Sequence, residues 1–375
     1  MPALVNRGYA ADLENPAKKG ETVTIEIPPS VTTSAVTPAA SPTAASDQTP
    51  TTKTLSLDNW RKSAPFALND QEITQIDTDK NYIPTNVSAS IEALAAYVNE
   101  QIHATYTGVY GYVGTAGVTP FAEATPVVDA ASAAQRELNK QKAPLAPRYG
   151  ILGHNAAHAA RSLQSFYRAD MRGQSDTMKT GDIGTAFGFD WKEDANVTTH
   201  TTGAAGTPLL DYGSGYAVGT TTIHMDGFTT KPSAGDVFKF PAARASGVID
   251  EQTYVVSSST TLVGTDSDVT FAPGLKVALA AGDDSCAIKF MASHAVNLAF
   301  HRDAIGFASR PLMDTDPTGR RVMQSLADPV TGLVLRLEVL THMYKMTQWE
   351  FDILFGTALI RPELACRIAG KPNQP

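Results

Sequence analysis

The chain has 375 residues, 42% hydrophobic and only 18% charged, with a formal net charge of −8. That length supports two or three domains with a sizeable core. The negative balance argues against a protein that tracks phosphates along nucleic acid, although an acidic chain can still line a container for DNA.

Cys286 and Cys366 are the only cysteines. They give neither zinc spacing nor a disulfide framework. The opening stretch, MPALVNRGYAADLENPAKK, has no apolar run of signal-peptide length. The most apolar late stretch, WEFDILFGTALI, carries Glu350 and Asp352 and is too short to span a bilayer. A soluble protein made inside a cell is expected.

ETVTIEI alternates, with Val23, Ile25 and Ile27 on one face and Thr22, Thr24 and Glu26 on the other. This pattern predicts a half-buried strand that stops at Pro28-Pro29. The next tract, SVTTSAVTPAASPTAASDQTPTT, has Asp47 as its only charge, and alternation resumes at Leu55 and Leu57. Two strands around such a tract predict an extended hairpin with a flexible or partner-held tip; a disordered linker is the alternative for the tract alone. The hairpin's apolar residues are expected to find too little of their own chain to pack on.

Beyond Pro84 the period changes. Ile91, Leu94, Ala95, Val98, Ile102 and Tyr106 fall on one stripe, which predicts a helix from about Asn86 to Tyr106. It would be a rod of roughly 30 Å, ended by GVYGYVGTAG. A second helix is expected over VVDAASAAQRELNKQK, opening at Asp129 and closing before Pro144. RYGILG then predicts a strand, NAAHAARSLQSFYRA a third helix, and IGTAFGFDW a strand ending near Trp191. Helix, strand and helix with short connections make a small α/β layer.

From GTPLLDYGSG to about Ala287 the texture is all-β. Ile223/Met225, Phe238/Phe240, Val269/Phe271 and Val277/Leu279 alternate between clusters of turn residues. Five or six short strands at this spacing predict a small barrel or sandwich. Gly213, Gly215 and Gly219 mark its entrance and AAGDDSC its exit.

HAVNLAFHRDAIGFASRPL concentrates residue types that could build a site. Yet Val296, Leu298 and Phe300 alternate before the break, and Ile305 and Phe307 after it. His301, Arg302 and Asp303 therefore fall where a turn needs polar residues, and a structural corner is expected. The C-terminal part alternates again, with Leu333, Leu335, Leu337 and Val339 on one face. A break is expected near Gln348-Trp349, before EFDILFGTALI, which should close a sheet beside the long helix.

HNAAH is the best metal candidate, because His154 and His158 are four apart on a predicted helix. Asn155 stands where the zincin motif places its general-base Glu, and no third ligand is evident. Asp283-Asp284 and Asp314/Asp316 lie in turn-like contexts. No nucleophile elbow, P-loop or dinucleotide fingerprint occurs, and the glycines of GYVGTAG follow a helix rather than a strand. No catalytic, cofactor-binding or metal residue is assigned.

Three stretches carry a family resemblance. TVTIEI with TPTTKTLSLDNWRKSAPFALNDQEI, AAQRELNKQKAPLAPRYGILGHNAAH, and above all NLAFHRDAIGFASRPL make the chain resemble a tailed-bacteriophage major capsid protein. The closest kind is the coat protein of short-tailed phages with an inserted β-barrel. The resemblance runs from about Val5 to Gly370. It implies the α+β fold of the Hong Kong ninety-seven phage capsid. Its parts would be an N-terminal arm (1–20), an extended loop (21–70) and a peripheral domain with spine helix (71–125). An axial domain in two parts (126–212 and 288–330), an inserted small all-β barrel (213–287) and C-terminal strands (331–375) would follow.

It further implies a structural coat protein that self-assembles into pentamers and hexamers of an icosahedral shell around double-stranded DNA. Such a protein resides in the virion and assembles in the bacterial cytoplasm. Scaffolding protein and portal would be partners, with a decoration protein possible and no cofactor, membrane or sequence-specific DNA binding. An encapsulin-like nanocompartment shell shares the fold but not the β module. A β-rich tail or adhesin protein lacks the long helix and α/β layer, and a hydrolase on His154 and His158 lacks base and third ligand.

Overall fold

The alternating stretches pair into four sheets among the described residues of a computed structural model. Those residues are 1–8, 16–29, 31, 33, 35, 38, 49–78, 85–122, 129–163, 166, 180–211, 213–241, 247, 249–283, 285–313, 321–328, 331–341 and 345–372.

The first sheet is the hairpin of β1 (Thr22–Ile27) and β2 (Thr51–Ser56), in register from Thr22↔Ser56 to Ile27↔Thr51. Most of the expected tip lies outside the described residues. The base is not short of cover, contrary to expectation. Ile25, Leu55 and Leu57 are buried in one cluster with Ala308, Leu354 and Ile360. The C-terminal part of the chain returns beneath the hairpin, a pairing no local pattern reveals.

A six-stranded sheet lies below it. Its members are β3 (Asn59–Lys62), β4 (Phe66–Asn69), β17 (Ile305–Arg310), β18 (Arg321–Ala327), β19 (Val334–Thr341) and β20 (Met346–Leu359). The order is β17-β20-β19-β18, with β3 and β4 also on β20. Gln348 and Trp349 are not a break. They lie inside β20, paired with Leu340 and Val339 on one side and Ala67 and Phe66 on the other. The chain instead turns just before β20, where Lys345 has φ 58°.

Against this sheet lies α2 (Thr85–Ala104), followed by a 3-10 turn over Thr105–Gly108. Leu94, Val98 and Ile102 are buried with Phe351, Ile353 and Phe355, and the Tyr97 ring meets Phe355 edge-on at 6.0 Å. A shorter helix, α1 (Asp70–Thr78), precedes it. Asn69 Oδ1 accepts the Glu72 N–H at 2.9 Å, and Glu72 Oε2 accepts the Asn69 N–H at 3.0 Å. This reciprocal cap fixes the helix start.

The seven-stranded sheet contains β5 (Gly111–Gly114), β6 (Arg148–Leu152), β7 (Gly184–Ala186), β8 (Phe189–Glu193), β9 (Thr199–His200), β16 (His294–His301) and β21 (Ala365–Gly370). Its order is β5-β21-β16-β6-β8-β7, with β9 on β16. Every residue of β16 is buried, so the alternation of Val296, Leu298 and Phe300 does not divide core from solvent. Both faces of a central strand are covered by packed layers. Helices α3 (Asp129–Lys140) and α4 (His154–Ser162) flank the sheet; α4 starts at His154, one residue before the expected segment.

IGTAFGFDW is two strands rather than one. Phe187 (φ 53°) and Gly188 (φ 77°) turn β7 back on β8, the left-handed pair that a two-residue hairpin requires. Gly150 in β6 permits a close approach. A Cβ there would stand 2.1 Å from Trp191 Cε3.

The fourth sheet has β10 (Ala205–Leu210), β11 (Thr222–Thr230), β12 (Val237–Lys239), β13 (Tyr254–Ser259), β14 (Ser267–Ala272) and β15 (Lys289–Phe290), in the order β10-β11-β14-β13-β12-β15. It closes on itself. The residues before β15 bond β10, with Leu210 N–H to Cys286 O at 3.0 Å and Ile288 N–H to Pro208 O at 2.9 Å. Inside are Ile223, Met225, Phe238, Tyr254, Val269 and Phe271.

Several expected boundaries move. The barrel's strands run from Ala205 to Phe290, so limits of 213 and 287 cut off β10 and β15. Two register shifts and Pro208 break the alternation of β10. Val277 belongs to no strand, and Leu279 makes only a bridge to Tyr216. β3 and β4 fall in the six-stranded sheet, not in an extended loop reaching residue 70. β5, expected in the peripheral part, runs parallel to β21 in the other sheet. β17 and β18, expected in the axial part, pair in the six-stranded sheet. The chain changes sheets at the 3-10 turn Arg302–Ala304, between β16 and β17.

Candidate assembly surfaces and the buried joint

Beneath the barrel, five distant segments bring polar groups together. Ser233 to Asp236 form a turn closed by the Asp236 N–H on Ser233 O at 3.1 Å, with Gly235 at φ 94°. The turn points the Asp236 carboxylate inward, where it is fully buried. It accepts the N–H groups of Ser233 (2.9 Å), Gly203 (3.1 Å) and Ala204 (3.1 Å). His200 Nε2 of β9 lies 2.8 Å from its other oxygen, and His200 Nδ1 lies 3.3 Å from the Tyr106 hydroxyl.

Arg367 of β21 enters from the opposite side. It donates from Nη1 to Gly235 O at 2.8 Å and lies 5.1 Å from the Tyr106 ring centroid. Burial lowers its pKa to about 10, which leaves it charged at neutral pH. A buried cation needs a buried anion nearby, and Asp236 supplies it. Burial likewise raises the Tyr106 hydroxyl, so it stays protonated and can donate.

His294 and His103 complete the joint. His294 Nδ1 lies 2.8 Å from Ala292 O, and its ring is 5.7 Å from that of His200 and 5.1 Å from that of Tyr112. Burial lowers its pKa to about 4. His103 Nε2 lies 2.9 Å from Val296 O, and burial lowers its pKa as well. Both are neutral imidazoles near pH 7. Chemically the arrangement is a chain of hydrogen bonds that ties barrel to body. Sequence reasoning passed over it, because His200, Asp236 and Arg367 share no motif and lie far apart along the chain.

The residues singled out from sequence go to separate places. His154 is exposed at the start of α4, with Nδ1 3.1 Å from Glu193 Oε1, and Arg161 donates to Glu193 Oε2 at 2.5 Å. Burial would raise the Glu193 pKa, but hydrogen bonds from His154 and Arg161 outweigh it and hold the carboxyl low. Among the described residues no group of three or more His, Cys, Asp or Glu is placed to hold a metal ion. His158 is exposed on the same helix.

His301 is buried at the corner. Its Nε2 lies 3.2 Å from Ala146 O, and its Nδ1 accepts the Asp303 N–H at 3.3 Å. Asn6 donates to Asp303 Oδ1 at 2.5 Å, so the N-terminal arm is strapped to the corner. Arg302, between them, is half-buried. Asp283 Oδ2 accepts the Ala280 N–H at 3.1 Å within a turn. Asp284, Asp314 and Asp316 lie outside the described residues.

Among the described residues, two surfaces stand unfinished. The outer strand β18 is an edge of its sheet, with Val322 67% and Leu326 72% exposed. An edge strand leaves unpaired backbone groups available to another chain. The second surface is the outer half of the hairpin, where Thr51 to Thr54 are all exposed. The root beyond it is pinned by side chains. Arg336 forms a two-pronged pair with Asp352, donating from Nε at 3.0 Å and Nη2 at 2.5 Å, while Trp60 Nε1 donates to Asp352 Oδ2 at 3.1 Å.

No protein-family model and no curated protein matches the chain. Solved structures do. A chain of Mycobacterium phage Che8 is similar over 100% of this chain and 92% of its own, at 16% identity and a TM-score of 0.50. The capsid of Ralstonia phage GP4 matches over 100% and 88%, at 11% identity and a TM-score of 0.47. The capsid structure of cyanophage P-SCSP1u matches over 94% and 84%, at 11% identity and a TM-score of 0.47. Likeness of this degree concerns the fold. With a hairpin rooted on one sheet, a long helix beneath it and a corner leading to a second sheet, the chain has the major capsid protein fold of tailed bacteriophages.

Proposed function

We propose that the chain is a coat subunit that self-assembles into the pentamers and hexamers of an icosahedral phage head around double-stranded DNA. Its role is structural rather than catalytic. The observation that carries this reading is the hairpin of β1 and β2: one face is seated on β17 and β20 through Ile25 and Leu55, while Thr51 to Thr54 of its outer strand stay exposed among the described residues. A second copy lying beneath that outer half would finish the packing, as closed symmetric assemblies do at each repeated contact. The net charge of −8 suits a container that holds DNA without gripping it. Scaffolding protein and portal are the expected partners, a decoration protein a further one, and the virion the expected location.

The test is particle formation. Expressed with its neighbouring head-assembly proteins, the chain should elute and image as capsomers or closed shells of many copies. A monomer that persists across concentration and salt with those proteins present would overturn the proposal.

A further inference from the structure

The barrel carries two surfaces of opposite chemistry at opposite ends. The distal end is the tight turn Val263 to Asp266, between β13 and β14. Val263 N–H bonds Asp266 O at 3.1 Å and Asp266 N–H bonds Val263 O at 3.3 Å, with Gly264 at φ 70°. Val263 is 78% exposed at this tip. Beside it stand Asp226 and Asp266, close enough for Asp226 to raise the pKa of Asp266. His224, Asp268 and Asp211 lie just behind, with His224 Nδ1 2.7 Å from Asp268 and Nε2 3.8 Å from Asp211. The tip is therefore an apolar knob in an acidic collar.

The proximal end is a cleft of about 1090 Å³ between barrel and body, lined among others by Tyr112, Arg136, Lys239, Ile249, Lys289 and Met291. Lys239 and Lys289 are directly opposite each other on β12 and β15. Like charges in that position repel. Neither they nor Arg136 has a carboxylate within ion-pair distance among the described residues. The cleft's own acids are engaged otherwise: Glu251 pairs with Lys140 of the same lining at 3.9 Å, and Asp250 accepts the Tyr254 hydroxyl at 2.7 Å. Ile249 is 63% exposed there. Among the described residues, Lys239, Lys289 and Arg136 of this cleft thus lack a paired carboxylate, and Ile249 lacks cover.

The knob offers both: the Asp226 and Asp266 carboxylates for the unpaired cations, and Val263 for the exposed apolar residue. The two ends cannot meet within one chain. Tyr254, at one end of β13, pairs beside the cleft, while Ser259 leads to the knob; six strand residues separate them by roughly 20 Å.

We infer that the Val263–Asp266 knob of one copy docks in the barrel–body cleft of a second copy. The contact joins unlike surfaces, so repeating it generates a ring where the rotation between copies closes. This rests on the coat-subunit reading and adds to it a specific contact.

Charge reversal tests it. Lys239→Glu with Lys289→Glu, and separately Asp226→Lys with Asp266→Lys, should each raise the concentration needed for half-assembly at least about tenfold. That factor corresponds to ~1.4 kcal/mol, less than juxtaposed like charges cost at a contact. The fourfold swap should restore assembly. Thermal transitions of the unassembled variants check that each still folds. A second measurement does not depend on the swap: Thr265→Cys with Lys289→Cys should give inter-copy disulfide ladders under mild oxidation, which the wild-type cysteines do not. Wild-type particles that form equally well with either charge reversal, and no ladder, would overturn the contact alone. Reversed lysines that leave particle yield intact but empty the particles of DNA would overturn it in favour of a nucleic-acid contact. A wild-type chain that never assembles would remove the coat-subunit reading and the contact with it.

Discussion

His294 shows how a residue type that suggests chemistry becomes structure. In the sequence it opens a stretch rich in His, Arg and Asp. In the fold it is buried at the joint, and burial holds its pKa near 4, with Arg367 and His200 adding repulsion against its protonated form. The unfolded chain takes up this proton at its ordinary value of 6.5, and the folded chain only near 4. Its contribution to stability is therefore fully present above pH 6.5 and is lost as pH falls from 6.5 to 4, by up to about 3 kcal/mol. His103, lowered by burial as well, works in the same direction. The denaturation midpoint should fall through this window, and a His294→Gln protein should fall less steeply. Parallel curves for the two proteins would refute the assignment. The corner residues His301 and Asp303 were legible from the polar break between two apolar runs. The Asp236–His200–Tyr106 chain was not, because its members lie on separate segments whose local patterns are unremarkable.

At the scale of elements, periodicity worked wherever one face of a segment meets solvent or a neighbour with a regular stripe. The long helix is such a case, expected from about Asn86 to Tyr106 and found at Thr85–Ala104. α1 carries an Asn69–Glu72 capping signal in its sequence but no fully buried stripe among its described side chains, so periodicity alone passed it over. The break assigned to Gln348-Trp349 failed for another reason: polar and aromatic residues in a long strand can be paired on both edges, as these are. Gly356, in the last third of β20, has a role that only packing reveals. A Cβ there would lie 2.3 Å from Ser56 O and 2.8 Å from Leu55 Cδ2. Gly356→Ala should push β2 off β20 and cost roughly 1–3 kcal/mol by overpacking. Thermal unfolding would register the loss, and faster amide exchange in Thr51–Ser56 than elsewhere would localise it. Unchanged exchange in that strand would argue against the hairpin being seated at Gly356.

For the whole molecule, the barrel is the part whose independence can be tested. It has its own ring of hydrogen bonds and its own aromatic core around Phe238, Tyr254 and Phe271. It leaves from β9 and returns to β16, which are paired to each other through His200↔His294. A fragment spanning 199–293, its ends joined by a short linker, should therefore give a β-type circular dichroism spectrum and a cooperative thermal transition. At this size a single core is marginal, so its stability should be only a few kcal/mol. A random-coil spectrum would show that the barrel needs the body, through Arg367 and Tyr106, in order to fold.

Local pattern along the chain sets the class of each long segment, the all-β texture after residue 205, the corner at His301–Asp303 and the resemblance in the order of parts. These are readable because hydrophobic period and turn chemistry are local. Tertiary structure alone decided which strands share a sheet, that β5 and β21 lie parallel, and that the hairpin's base is covered by its own C-terminal part. It also decided that a buried carboxylate, an imidazole and a guanidinium from distant segments meet under the barrel. Each of these depends on long-range pairing, where the favourable energy comes from burial against residues hundreds of positions away and leaves no trace in the local pattern.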